Sequence, residues 1–195
     1  MIRFVLCCFF ASITITGVAQ TSKKISFEKA AKDLVTALKN KNNAAFKKYV
    51  DAQTGFYLLY RNGVFDQYML MKTINLRGEG FPEAAVQYGG TTKIKLLYGR
   101  MPEFDCDTDT WSKNGAFADT SGKLKQLSQT AKNLVKYEVK EIPAKEIKAL
   151  EAFEKGNWKV IVADKNGQSF VFYLKYKNNR WYISIIDTVT TDCSA

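Results

Sequence analysis

The last third of the chain carries its strongest constraint on fold. Trp158 to Asp164, Ser169 to Lys177 and Trp181 to Thr190 are three runs rich in β-branched and aromatic residues, the side chains that suit a half-buried pleated surface. Their connections contain Asn166-Gly167 and Asn178-Asn179, residues that accept the positive φ angles of tight hairpin turns. Three strands joined in this way predict an antiparallel meander.

Upstream, Ser26 can cap a helix whose apolar stripe is Phe27, Ala31, Leu34 and Leu38, with Lys29, Lys32 and Lys39 turned outward and Asn40 to Asn43 at its end. A second short helix, Ala44 to Val50, offers Phe46, Tyr49 and Val50 to the same core. Phe56 to Arg61 and Val64 to Met71 flank Asn62-Gly63 and read as a hairpin. A Gly-rich loop from Arg77 to Gly90 precedes a strand over Thr91 to Tyr98. Met101 to Lys123 reads as a long loop with a short strand at Ala116 to Ala118. Leu124 to Ala131 reads as a helix and Asn133 to Ile142 as a strand. Pro143 suits the first position of a helix to Lys155, with Ile147, Leu150 and Phe153 facing in and Gly156 as its stop.

The other end of the chain speaks to destination. Arg3 supplies a positive start, Phe4 to Ile15 an apolar core, and Gly17-Val18-Ala19 the small residues of a cleavage site. The apolar stretch is shorter than the roughly 20 residues a bilayer span requires, and Ser12, Thr14 and Thr16 interrupt it. Residues 1–19 therefore read as a removed signal peptide and 20–195 as a single α+β domain, exported to a periplasmic or extracellular location, with no transmembrane segment in the mature chain. Cys7 and Cys8 lie inside the apolar core without the preceding small residue that lipid attachment wants.

About 175 mature residues make one domain of ordinary size. The formal net charge is +10, and loss of Arg3 with the leader leaves it near +9, a balance that favours anionic neighbours. There is no histidine, which excludes Ser-His-Asp and Cys-His catalysis and imidazole-based zinc sites. Acid/base work would fall to carboxylates, Lys or Tyr. The mature chain keeps Cys106 and Cys193, and in an oxidising compartment such a pair reads as one disulfide.

Two N-terminal helices ahead of a curved antiparallel sheet that closes with Phe170-Val171-Phe172-Tyr173-Leu174-Lys175, a turn of Asn178-Asn179-Arg180, and Trp181-Tyr182-Ile183-Ser184-Ile185-Ile186-Asp187 resemble the NTF2-like, or cystatin-like, superfamily. The exported context and the Asp105-Cys106-Asp107 loop are also similar to secreted bacterial proteins without an assigned activity. The superfamily resemblance implies a cone with an open-ended pocket, used by some members for acid/base catalysis and by others for binding or dimerisation. By two-residue period Trp181, Ile183 and Ile185 share a face whose next member is Asp187. A carboxylate there can act as a general base or ligand anchor, or simply end the strand in water. Tyr57 and Arg61 alternate on the first strand and can reach the same cavity. Asp187, Trp181, Ile185, Tyr57 and Arg61 are thus the candidate pocket residues.

Glu103, Asp105, Asp107, Asp109 and Asp119 form an acidic stretch, and the disulfide would carry Asp192 beside Asp105 and Asp107. Carboxylates at alternate positions suit Ca²⁺, but Thr110 stands where an EF-hand needs Gly and Ala116 where it needs Glu. No metal and no cofactor is expected. Basic residues are spread along the chain with only Lys175, Lys177 and Tyr173 alternating on one strand, so nucleic acid is not the expected partner. The expectation is an exported non-catalytic binding or interaction module with an aromatic-lined pocket, its partner a small molecule or envelope component, with a homodimer left open. The alternative is a pocket-based acid/base enzyme, for proton transfer or hydrolysis, using Asp187 with Tyr57 or Arg61. Intact-mass measurement of the secreted protein should give a chain starting at Gln20. A form keeping Met1, or carrying lipid on Cys7 or Cys8, overturns the leader.

Overall fold

A computed structural model describes residues 14–77 and 90–194. Most of the expected leader, including Arg3, Cys7 and Cys8, and nearly all of the Gly-rich loop lie outside the described residues. The chain is α+β: a seven-stranded mixed sheet that does not close, with helices on both faces.

Helix α1 (Thr14–Lys39) is longer than its apolar stripe and runs through the expected cleavage point before Gln20. Ser26 lies inside it rather than capping it, and its hydroxyl donates to the Lys23 carbonyl. No Gly or Pro between Gly17 and Ser26 breaks the helix, so a polar cap residue alone does not start one. Phe27, Ala31, Leu34 and Leu38 are buried as the stripe requires, and Asn42 caps the short α2 (Asn43–Lys47) through its Oδ1.

Strands β1 (Phe56–Asn62) and β2 (Phe65–Met71) form the expected hairpin. Asn62 pairs with Phe65, so Gly63 and Val64 are the central turn residues. Gly63 has φ +77°, the first position of a two-residue turn that glycine favours. The strand expected over Thr91 to Tyr98 is only β3 (Leu96–Tyr98). The expected long loop contains a small hairpin, β4 (Phe104–Asp105) and β5 (Thr110–Trp111), followed by β6 (Gly115–Asp119).

No strand forms over Asn133 to Ile142. Helix α3 (Gln126–Lys136) extends through the first part of that segment because Leu127, Ala131 and Leu134 share one buried face. It ends with Glu138 at φ +56°. The Val139 amide donates to the Leu134 carbonyl and the Glu138 amide to that of Val135, a left-handed helix stop with glutamate where glycine is usual. Helix α4 (Ala144–Glu154) follows Pro143. The meander is β7 (Trp158–Ala163), β8 (Ser169–Lys177) and β9 (Arg180–Asp187).

Strand order is β2-β1-β9-β8-β7-β6-β3, antiparallel except that β1 runs parallel to β9 and β3 parallel to β6. The expected all-antiparallel sheet is therefore a mixed one. Helices α1 and α2 cover one face against Phe56, Leu58, Phe172, Trp181 and Ile186. Helices α3 and α4 cover part of the other against Leu59, Tyr173 and Ile185, and the β4–β5 hairpin lays Trp111 over Ile161, Ala163 and Val171. Among the described residues, no helix is long and apolar enough to cross a membrane.

Cys106 and Cys193 are joined, with Cα atoms 5.6 Å apart and 87 residues between them in sequence. The bridge ties the β4–β5 hairpin to the C-terminal tail. For a loop of that length the chain-entropy model gives roughly 4 kcal/mol as an upper value. Cys106→Ser with Cys193→Ser should lower unfolding stability in urea by about 2–4 kcal/mol. Two thiols that alkylate freely without reductant, in the native protein or after denaturation, would remove the basis of that loss.

Candidate functional site

Strand β9 is not in one phase. Leu174 pairs with Ile183 but Tyr173 pairs with Ile185, so Ser184 is an extra residue in a β-bulge. Before the bulge Trp181 and Ile183 face α1. After it Ile185 faces α3 and α4, and Asp187 follows Ile185 by two residues. The sheet thus separates Trp181 from the other four candidate residues. Tyr57 lies on the α3/α4 side, half-buried, with its ring centroid 4.9 Å from that of Phe153 and 5.9 Å from that of Tyr68. Arg61 donates from Nε to Asp66 at 2.8 Å and from Nη1 to the Asp192 carbonyl at 2.7 Å.

The Asp187 side chain is fully enclosed, at 0% exposure. Its Oδ1 accepts from the amides of Val189 and Thr190, both at 3.0 Å, and its Oδ2 from Thr190 Oγ1 at 2.7 Å. Lys159 Nζ stands 3.5 Å from Oδ2 and 5.3 Å from the centre of the Tyr173 ring. The carboxylate therefore shapes the turn that leaves β9 while Lys159 balances its charge. Neither Tyr57 nor Arg61 is among its hydrogen-bond partners.

Three neighbours escaped the sequence reading: Lys159, Tyr173 and Glu154. The Tyr173 hydroxyl is buried and, among the described residues, makes no hydrogen bond. Burial first, and then the charges of Asp187 and Glu154, push it well above the usual tyrosine range. It lies close to Asp187 without reaching hydrogen-bond geometry. Glu154, 2% exposed, closes the start of α3: its Oε2 accepts from the Leu127 amide at 2.9 Å, and its Oε1 from the Ser128 amide at 3.2 Å and from the Ser128 hydroxyl. Lys125 at the head of α3 offers no side-chain cap, so a carboxylate from α4 meets the positive end of the helix instead. Burial pushes the Glu154 carboxyl up, against the pull of those hydrogen bonds. The available signal was phase, because Glu154 continues the apolar face of Ile147 and Leu150 on α4. Tyr173 carried none, sitting inside an unbroken apolar run.

Asp187 lines none of the described clefts. The largest of these, about 460 Å³, lies between the segment before β3 and the ends of β6 and β7, lined by Lys93, Ile94, Lys95, Leu97, Ala116 and Val162 among others. Another, of about 280 Å³, opens between Arg61, Phe65 and the Asn133–Tyr137 end of α3. Among the described residues no three acidic or thiol groups converge to hold a metal ion. In the acidic loop the Asp105 carboxylate accepts from the Asp107 amide at 2.9 Å, which curls the loop on itself. No protein-family model, curated protein or solved structure matches the chain.

Glu154→Ala should destabilise the fold by about 2–3 kcal/mol in urea titration, since it strands three buried donors. The native carboxyl titrates above its unfolded value, so protons bind the folded state more tightly and stability falls as pH rises from the unfolded to the folded pKa. Glu154→Gln should flatten that part of the profile, and an unchanged profile would show that Glu154 does not titrate there.

Proposed function

We propose that this chain is an exported, non-catalytic binding module, built on an NTF2-like variant of the α+β fold, whose ligand is a small anionic amphiphile or an envelope component of that character. The observation that carries the reading is a division of labour among side chains. Asp187 and Glu154, the two most buried carboxylates among the described residues, are enclosed and met by internal donors, and Asp51 is held by Lys177 and the amides of Gln53 and Thr54. The largest described cleft instead combines Ile94, Leu97, Ala116 and Val162 with Lys93 and Lys95. Such a lining suits an apolar body with an anionic end. Asp164 also borders the cleft, but its Oδ1 is engaged by the amides of Asn166 and Gln168.

The order of two helices, a hairpin and a terminal meander supports the NTF2-like assignment. Helices α3 and α4 cover part of the sheet face that holds Leu59, Tyr173 and Ile185, so our reading puts the candidate site at the sheet's other end. A second reading rests on the Tyr173 hydroxyl, buried near two carboxylates and without a hydrogen bond among the described residues. In that reading Asp187 is the base of a proton-transfer or hydrolytic enzyme that opens around it.

Two measurements separate these. Dodecanoate should bind the native protein, and Lys93→Ala with Lys95→Ala should weaken it by about tenfold, as expected for loss of charge-assisted contacts. Failure of dodecanoate to bind, or equal binding by the double variant, removes the cleft as the site. Asp187→Asn should leave dodecanoate affinity unchanged. A turnover activity found in the native chain and abolished in Asp187→Asn would establish the second reading.

A further inference from the structure

A second place in the molecule holds a charge in an uncommon setting, at the opposite end of β7 from the cleft. Trp158 opens β7, Tyr176 lies near the end of β8 and Trp181 near the start of β9, where Tyr176 and Trp181 are paired across the strands. All three rings face α1. Trp158 and Trp181 have centroids 4.7 Å apart, and Tyr176 and Trp181 5.0 Å apart. Phe27 of α1 stands behind both tryptophans, 4.8 Å from Trp158 and 5.0 Å from Trp181. The indole of Trp181 is fixed by donating to the Lys23 carbonyl at 3.3 Å and the Ser26 hydroxyl at 3.1 Å. Trp158 and Tyr176 are only half-buried, so the group of rings is open on one side.

Into that opening the chain puts its own cation. Lys23 Nζ lies 5.1 Å from the centre of the Trp158 ring, 4.9 Å from Tyr176 and 5.5 Å from Trp181. Among the described residues it forms no ion pair with a carboxylate, so ring faces supply the negative potential it meets. Other lysines among the described residues meet a single ring at 4.0–5.7 Å, whereas Lys23 meets three at once. A methyl on nitrogen stands about 1.5 Å out, so three rings about 5 Å from one nitrogen can each meet a methyl group of a quaternary ammonium.

We propose that Trp158, Tyr176 and Trp181 form a binding site for a quaternary ammonium group, and that Lys23 is a tethered competitor occupying it when no such ligand is present. The site is independent of the anionic-ligand cleft, and neither proposal needs the other. Lys23 acts as the gate because its flexible stem can swing into solvent while the backbone carbonyl keeps its bond to Trp181. A short tether gives an effective concentration in the millimolar range, so the native chain should bind such ligands weakly and the affinity should rise when the tethered ammonium is removed.

The test uses choline and tetramethylammonium as probes, at constant ionic strength, read by tryptophan fluorescence and calorimetry. Lys23→Ala and Lys23→Ser should bind both probes about tenfold more tightly than the native chain, and Lys23→Arg should show no gain. Tyr176→Leu added to Lys23→Ala should lose most of the gain, and methylammonium should bind more weakly than tetramethylammonium. The proposal is overturned if neither small substitution raises affinity, if the gain survives Tyr176→Leu, or if methylammonium binds as well as tetramethylammonium. Cosedimentation with phosphatidylcholine vesicles, against phosphatidylglycerol vesicles, distinguishes a lipid headgroup from a free ammonium compound as the source. Choline affinity without phosphatidylcholine binding assigns the site to the free compound, and binding to both assigns it to the lipid.

Discussion

Strand β9 lies between β1 and β8 and touches cores on both faces of the sheet, which a strict two-residue alternation could not serve with this order of side chains. The bulge at Ser184 resolves the conflict by inserting one residue opposite Tyr173 and Leu174. Trp181 and Ile183 then fill the α1 side, Ile185 the α3/α4 side and Ile186 the α1 side again. The Ser184 hydroxyl donates to the Tyr173 carbonyl at 3.1 Å, so the extra residue leaves no buried hydroxyl unpaired. The same strand joins the two ends of the chain. The Ile183 amide donates to the Tyr49 carbonyl at 2.7 Å, and the Thr188 amide and hydroxyl both donate to the Leu59 carbonyl.

The re-phasing also explains why the molecule buries charge where it does. Past the bulge Asp187 enters the α3/α4 side, and an ionised carboxylate there costs several kcal/mol unless it is fully met by donors. Val189, Thr190 and Lys159 provide them. Glu154 carries a comparable cost and offsets it by closing the uncapped start of α3. Both carboxylates are therefore bound into the scaffold, and each terminates or starts a structural element.

The meander was legible because its turns announce themselves. Asn178 and Asn179 take φ of 51° and 58° and Gly167 takes φ of 77°, conformations for which Asn and Gly are the usual choices. The disulfide was legible because loss of Cys7 and Cys8 with the expected leader leaves one pair for an oxidising compartment. The features that escaped are those without a marking residue. Nothing at Ser184 signals a bulge, and without one strict alternation puts Asp187 on the face of Trp181. Glu138 stops α3 at a position that glycine usually marks, so the sequence carries no sign of how far the helix runs. The partners of Asp187 were hidden for a different reason. Lys159 alternates with Trp158 and Val160, and only the register of β7 on β8 brings it over Tyr173.

Lysine in this protein is used less as a surface charge than its number suggests. With 29 basic against 19 acidic side chains, carboxylates cannot pair every cation, and the aromatic faces take part of the surplus. Lys23 lies over Trp158, Tyr176 and Trp181, Lys24 over Tyr98, Lys140 over Tyr68, Lys159 over Tyr173 and Lys175 over Phe153. Each exposed contact of this kind contributes about 0.5–1 kcal/mol. At the N-terminal side of the domain they have a particular use. Thr21, Ser22 and Ile25 are exposed, Ile25 at 63%, so this turn of α1 has little apolar surface with which to dock. Lys23 and Lys24 hold it to the sheet through rings on both sides. A contact made by one flexible cation on a ring face releases more readily than a buried apolar side chain, which is the property the Lys23 gate requires.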